Sequence, residues 1–108
     1  MGLQISEFIA EEIAVKIGWE IYSVVIVFSD DTEIRVTNFD YDIRTNFQER
    51  YKELIFYINF NVSESKTVTE IKFYDRYDRI AVLRDELSVV LPAGDIMLIE
   101  VIKISYQL

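Results

Sequence analysis

The feature of this sequence that most restricts its fold is a repeated alternation of apolar and polar residues. Successive side chains of a β-strand point to opposite faces, so an apolar residue at every second position indicates a strand with one buried face. The clearest example runs from Leu54 to Val62, where apolar side chains at every second position share one face. β-branched and aromatic residues, which favour strands, fill this run and the others.

Alternating runs recur along the chain and are separated by short polar segments. They predict seven or eight strands, at about residues 11–17, 20–28, 32–38, 53–62, 67–74, 79–83, 87–91 and 96–106. Strands do not alternate with helices, so parallel βαβ units are not expected. We predict an all-β fold with one domain over residues 1–108, at most one or two short helices, and antiparallel strands in a two-sheet sandwich or a jelly-roll-like barrel.

The segment before Trp19 fits either a helix or a strand. Its apolar spacing over residues 6–17 suits a helix with Ser6 as the N-cap and Gly18 as a left-handed stop. An unbroken alternation over residues 13–21, rich in β-branched side chains, suits a strand, which is the preferred interpretation. On that interpretation Trp19, the only tryptophan, lies in the core.

Two connections carry turn signals. The segment 29–32 places two aspartates between apolar runs, which predicts the tip of a hairpin. Thr45 and Gln48 form a capping box ahead of aromatic residues at helical spacing, which predicts one or two helical turns over residues 45–52.

The last predicted strand is apolar on both faces. One face carries Ile96, Leu98, Ile102 and Ile104, and the other carries Met97, Ile99 and Val101. Such a strand is either central and covered on both sides, or partly buried against another subunit. Both interpretations stay open, and self-association is the working expectation.

Composition limits the chemistry that this chain can perform. It contains no cysteine and no histidine, which removes thiol nucleophiles, imidazole bases and the usual zinc and haem ligands. Its three glycines leave no glycine-rich phosphate loop. Asp40 and Asp42 lack the pattern of a calcium loop. We therefore expect no enzyme activity, no metal and no cofactor.

Charge and hydropathy limit the partners. The net charge is −8, whereas a nucleic-acid backbone attracts clustered positive charge, so nucleic acid is not expected as a partner. No apolar run approaches the roughly 20 residues that cross a bilayer, and the N-terminal residues show no signal-peptide pattern. We expect neither membrane insertion nor export.

A doubled Tyr-Asp-Arg sequence at residues 74–79 is the best candidate for a recognition loop. Tyrosine and arginine are enriched where proteins meet other molecules, because each combines a flat apolar face with hydrogen-bond donors. The candidate interaction residues are Tyr74, Arg76, Tyr77 and Arg79, with Tyr41, Arg44, Tyr51 and Tyr57 as contributors from elsewhere. The alternative interpretation is a charged turn in which Asp and Arg neutralise each other.

Two segments combine strands with distinctive connections. The first, residues 24–43, joins two strands through Ser29-Asp30-Asp31-Thr32 and continues into Asn38-Phe39; the second, residues 87–96, joins two strands through Pro92-Ala93-Gly94. In these segments the chain resembles small β-sandwich virion proteins of tailed bacteriophages. Because glycine-rich fibre repeats are absent, the resemblance implies a neck, tail or baseplate adaptor and not a fibre shaft, located in the virion or the cytoplasm.

Three functions are compatible with these observations. The leading expectation is a non-enzymatic structural or adaptor subunit that forms a homo-oligomer or docks onto other virion proteins. The first alternative is an acidic inhibitor that uses its charge of −8 to block a basic site on a host protein. The second is a carbohydrate-binding sandwich that uses exposed aromatic residues.

Overall fold

The computed structural model describes residues 2–108, which form one helix and eight strands. In chain order the elements are α1 (Glu7–Glu20), β1 (Ile21–Phe28), β2 (Glu33–Val36), β3 (Phe39–Asn46), β4 (Tyr51–Val62), β5 (Lys66–Asp75), β6 (Ile80–Arg84), β7 (Val89–Leu91) and β8 (Gly94–Ser105). All the strand pairings are antiparallel. The predicted all-β class is confirmed.

The strands divide into two sheets that face each other. The first sheet has the order β2-β1-β5-β6, and β7 pairs with the beginning of β5. The second has the order β3-β4-β8. Phe56 of β4 stacks on Phe73 of β5 with ring centroids 5.0 Å apart, and both side chains are buried. This shared apolar core is what the sandwich interpretation predicts.

α1 packs on the core side of the second sheet. Ser6 begins the helix as its N-cap, because its Oγ accepts a hydrogen bond from the Ile9 N–H at 3.2 Å. The buried stripe of the helix consists of Ala10, Ala14 and Gly18, which are one turn apart. These small residues allow a close approach to the sheet. The Nζ of Lys52 on β4, itself buried, lies 3.2 Å from the Glu7 carboxylate on the helix.

The strand predicted over residues 11–17 is wrong, because α1 spans this segment. The alternation there does not mark a buried face, since Val15 is 48% exposed. The core placement of Trp19 is wrong for the same reason, since this side chain is 66% exposed. Gly18 lies inside the helix and does not end it.

The connection predicted as one or two helical turns over residues 45–52 is a single turn, shorter than predicted and capped by Asn46 instead of Thr45, because β3 continues to Asn46 and β4 begins at Tyr51. A single tight turn joins them. The Asn46 side chain accepts a hydrogen bond from the Glu49 N–H, and its carbonyl accepts one from the Arg50 N–H, each at 2.9 Å. Arg50 has a left-handed φ of 59°. The sequence-based prediction also lacks β3. The chain still has eight strands, because β3 takes the place of the strand wrongly predicted over residues 11–17.

β8 is apolar on both faces, as predicted, but it is not central. In the part of the chain that the structure describes, its only neighbouring strand in the sheet is β4. Met97, Ile99 and Val101 point away from the core and are 56%, 53% and 40% exposed. The interpretation of β8 as a central strand covered on both sides is therefore wrong.

The hairpin tip predicted at residues 29–32 is confirmed. The Phe28 N–H donates to the Thr32 carbonyl at 2.9 Å, and Asp31 takes a φ of 65°. Among residues 2–108, no helix has the length and apolar character needed to span a membrane.

Candidate functional site

Four of the predicted interaction residues, Tyr74, Arg76, Tyr77 and Arg79, lie in or beside the turn between β5 and β6. Asp75 organises this turn. Its Oδ1 accepts hydrogen bonds from the N–H groups of Tyr77 (2.9 Å) and Arg79 (3.0 Å), and its Oδ2 accepts one from Arg79 Nε at 2.8 Å. These bonds, led by the one from the Arg79 backbone, hold the pKa of Asp75 below its usual value.

An aromatic–arginine cluster surrounds the turn, and each arginine in it lies over one ring. The distances from guanidinium carbon to ring centroid are 4.8 Å for Arg35 over Tyr74, 6.0 Å for Arg76 over Trp19 and 5.0 Å for Arg79 over Tyr77. Trp19 and Tyr77 are largely exposed. The cluster therefore combines flat apolar surface with hydrogen-bond donors.

Two members of this cluster, Trp19 and Arg35, are missing from the sequence-based candidates. Helical spacing over residues 7–20 is the signal that places Trp19 opposite the buried Ala10–Ala14 stripe. Arg35 lies between two inward apolar residues of β2, so the alternation there is the signal for its outward position.

Tyr41 and Arg44 lie on β3 of the other sheet, on opposite faces, because Tyr41 pairs with the buried Phe56 and Arg44 pairs with Glu53. The Tyr41 ring packs against Gly18 of α1, and its centroid is 6.2 Å from that of Phe56. Arg44 forms an ion pair with Asp42, with Nε and Oδ2 3.3 Å apart. The structure thus separates the predicted residues into a loop group and a β3 group.

The outward side of the second sheet carries an apolar patch, which we call the outer apolar face. It consists of the exposed Met97, Ile99 and Val101 and the half-buried Tyr57, together with Ile55, whose side chain is buried at 6% exposure. Ile55 pairs with Val101 and Tyr57 pairs with Ile99 across β4 and β8, so these side chains are neighbours on one surface. Polar pairs border the patch at both ends: Glu53 faces Lys103, and Asn61 donates a hydrogen bond to Asp95 at 2.9 Å.

The outer apolar face continues to a free strand edge. The Tyr106 N–H donates to the Arg50 carbonyl at 3.0 Å, in the register that pairs β4 with β8. Hydrogen bonds alternate along an antiparallel pair, so the even-numbered residues of β8 bond to β4. The backbone groups of the odd-numbered residues point away from β4. Gln107 shows this direction, because its N–H donates to the Ile5 carbonyl at 3.0 Å.

A second exposed apolar surface lies on α1. Phe8, Val15 and Trp19 form a stripe, bordered by Glu11 and Glu12, on the side of the helix opposite its buried residues. Because α1 covers the core side of the second sheet, this stripe and the outer apolar face point in opposite directions.

No group of three or more acidic side chains within the described residues is placed to hold a metal ion. Comparison of the chain with protein-family models, with curated proteins and with solved structures finds no significant match.

Proposed function

We propose that this chain is a non-enzymatic structural or adaptor domain that binds other protein chains, including copies of itself. The observation that carries the proposal is the outer apolar face beside the free edge of β8. Proteins usually shorten, charge or cover such an edge, because its unpaired backbone groups can recruit another strand. Here the edge strand is 12 residues long and its exposed side chains include Met97, Ile99 and Val101.

The α1 stripe supports an adaptor role in particular. An adaptor contacts two partners at once, and the stripe and the outer apolar face lie on opposite sides of the molecule. We include a phage virion, at the neck, tail or baseplate, as the setting of this function, because the resemblance of residues 24–43 and 87–96 implies it.

The two alternatives have less support. Several carboxylates that an inhibitor would use as phosphate mimics are bonded to cations of the same chain, among them Asp30 to Lys66, Asp42 to Arg44 and Asp75 to Arg79. A carbohydrate-binding role would rest on the aromatic–arginine cluster, whose arginines are already placed over its rings.

The test combines light scattering on a sizing column with co-purification. The chain is measured alone at low and high salt, and then with each product of the genes adjacent to its own. Ile99→Lys places a charge in the outer apolar face, and Val90→Lys is the matched control because Val90 is an exposed residue of β7 in the other sheet.

We expect association that persists at high salt, is lost in Ile99→Lys and is retained in Val90→Lys, because apolar contacts are not screened by ions. A chain that stays monomeric and binds none of those gene products would contradict the proposal. Equal binding by Ile99→Lys and the wild type would contradict the assignment of the surface.

A further inference from the structure

The free edge of β8 has a regular set of unpaired backbone groups. The odd-numbered residues from Asp95 to Lys103 direct their N–H and C=O groups away from β4, and no backbone partner for them is present within residues 2–108. The unpaired edge ends at Gln107, because the Gln107 N–H donates a hydrogen bond to the Ile5 carbonyl. An antiparallel strand of similar length would pair all of these groups.

We propose that two copies of the chain join through their β8 edges, antiparallel about a two-fold axis at Ile99, to form one continuous six-stranded sheet. This inference rests on the proposed function and names the partner as a second copy. In this register Ile99 faces Ile99 of the second copy, and Met97 faces Val101. Five facing pairs of odd-numbered residues would exchange about ten backbone hydrogen bonds.

Charge complementarity selects this register. With the axis at Ile99, Asp95 of each copy faces Lys103 of the other at both ends of the paired segment. If the axis moves to Leu98, Asp95 faces Val101 and the opposite charges are separated. If it moves to residue 100, Glu100 faces Glu100 and the two like charges oppose each other on the core side.

The local contacts of the two charges are compatible with this pairing. Asp95 and Lys103 both belong to the outward side of β8, at the two ends of the outer apolar face. Lys103 Nζ lies 4.7 Å from the centroid of the Tyr51 ring, and Asp95 accepts one hydrogen bond from Asn61. Neither is buried, so each can contact a second strand. In the registers with the axis at Leu98 or at residue 100, Asp95 and Lys103 do not face each other, so these registers lack the favourable charge pair.

Single cysteine substitutions test the register directly, because the chain contains no cysteine. Facing residues in a hydrogen-bonded antiparallel pair have Cα atoms about 5.5 Å apart, which a disulfide can bridge. Ile99→Cys should therefore form a covalent dimer under mild oxidation. Met97→Cys alone should not, because the two copies of residue 97 would lie about 13 Å apart along the strands.

A mixture of Met97→Cys and Val101→Cys should cross-link as a heterodimer, and Val90→Cys on β7 serves as the control for random collision. Cross-linking of Met97→Cys alone as strongly as Ile99→Cys would overturn the register. Absence of any Ile99→Cys dimer would overturn the pairing.

Charge exchange gives an independent readout. Asp95→Lys and Lys103→Asp should each weaken dimerisation by about five- to tenfold, since each creates two like-charged pairs, and the double exchange should restore it. If the double variant dimerises no better than the single variants, the charge pairing is overturned. A wild-type monomer that still binds an adjacent gene product through Ile99 would refute this inference and leave the proposed function standing. A monomer that binds none would refute both.

Discussion

Gly18 shows how one residue without a side chain sets the position of α1. A Cβ at this position would lie 2.7 Å from Cε2 and 2.9 Å from Cδ2 of Tyr41, so the ring would have to move away. Alanine is a better helix former than glycine by about 1 kcal/mol, yet the clash opposes this gain. We expect Gly18→Ala to lower the free energy of unfolding by about 1–2 kcal/mol.

A double-mutant cycle identifies the cause of that loss. In a Tyr41→Ala background the ring is absent, so Gly18→Ala should raise stability by up to about 1 kcal/mol through helix propensity alone. Urea denaturation of the four proteins measures the coupling energy. A coupling near zero would show that Tyr41 does not limit the approach of α1.

At the scale of elements, the β1–β2 hairpin is held by Asp30. Its carboxylate accepts hydrogen bonds from Lys66 Nζ at 2.8 Å and from the Thr32 N–H at 3.0 Å. These hydrogen bonds hold the pKa of Asp30 well below its usual value. The bond from Lys66 has the largest effect, and the bonds from Thr32 follow. The hairpin tip is therefore tied to β5 by a charged contact.

This contact predicts a pH dependence of stability. A carboxyl group whose pKa is lowered by folding stabilises the native state above its unfolded pKa, and the stabilisation is lost as the pH falls towards the folded pKa. We expect Asp30→Asn to reduce the loss of stability that the wild type shows below about pH 4. Lys66→Met should give a similar profile. Unchanged acid slopes in both variants would contradict the assignment.

An ion pair between Arg84 of β6 and Glu100 of β8 joins the two sheets. Glu100 is the charged residue on the inward face of β8, and its side chain is 11% exposed. Removing Arg84 leaves a largely buried carboxylate without its cation. We expect Arg84→Leu to cost about 1–3 kcal/mol of unfolding free energy.

The matched variant replaces both members of the pair. Arg84→Leu with Glu100→Leu removes the charge together with its partner, so its stability should return to the wild-type value or exceed it. Chemical denaturation compares the two variants. A double variant that is as unstable as Arg84→Leu would show that packing, and not the isolated charge, determines the loss.

At the scale of the whole molecule, self-association makes thermal stability depend on concentration. A native state that binds a second copy is stabilised by mass action, so Tm should rise as the protein concentration rises. The Ile99→Lys variant should show a Tm that does not change with concentration, whereas Val90→Lys should behave as the wild type. Calorimetry over a wide concentration range measures both. A concentration-independent wild-type Tm would contradict the proposed dimer.

Much of the fold could be predicted because strand alternation is a local signal. The run from Leu54 to Val62 places its apolar residues on the core face of β4, and the aspartates after Phe28 close the predicted hairpin. The same signal fails over residues 7–20, where β-branched side chains alternate but the buried stripe consists of small residues. β3 was missed although its signal is present, since Phe39, Tyr41 and Ile43 alternate with polar residues. The helix-start pattern at Thr45 and Gln48 assigned the end of this strand to a helical connection.

The candidate site is likewise only partly predictable from the sequence. The doubled Tyr-Asp-Arg motif is visible in the sequence, and the structure places it in a turn organised by Asp75. The inclusion of Trp19 depends on α1 meeting β1 beside that turn, which no local pattern reveals. Tyr41 and Arg44 could not be assigned to a sheet from their spacing alone.

Two properties of this chain follow from the order of neighbouring side chains alone: it is built mainly of β-strands, and its last strand is apolar on both faces. The position of β8 at a sheet edge, with its outer face exposed, emerges only in the folded chain. That position depends on pairing with β4, about 40 residues earlier in the chain, and on what the first sheet and α1 leave uncovered. Such long-range competition for neighbours is not encoded in any local pattern.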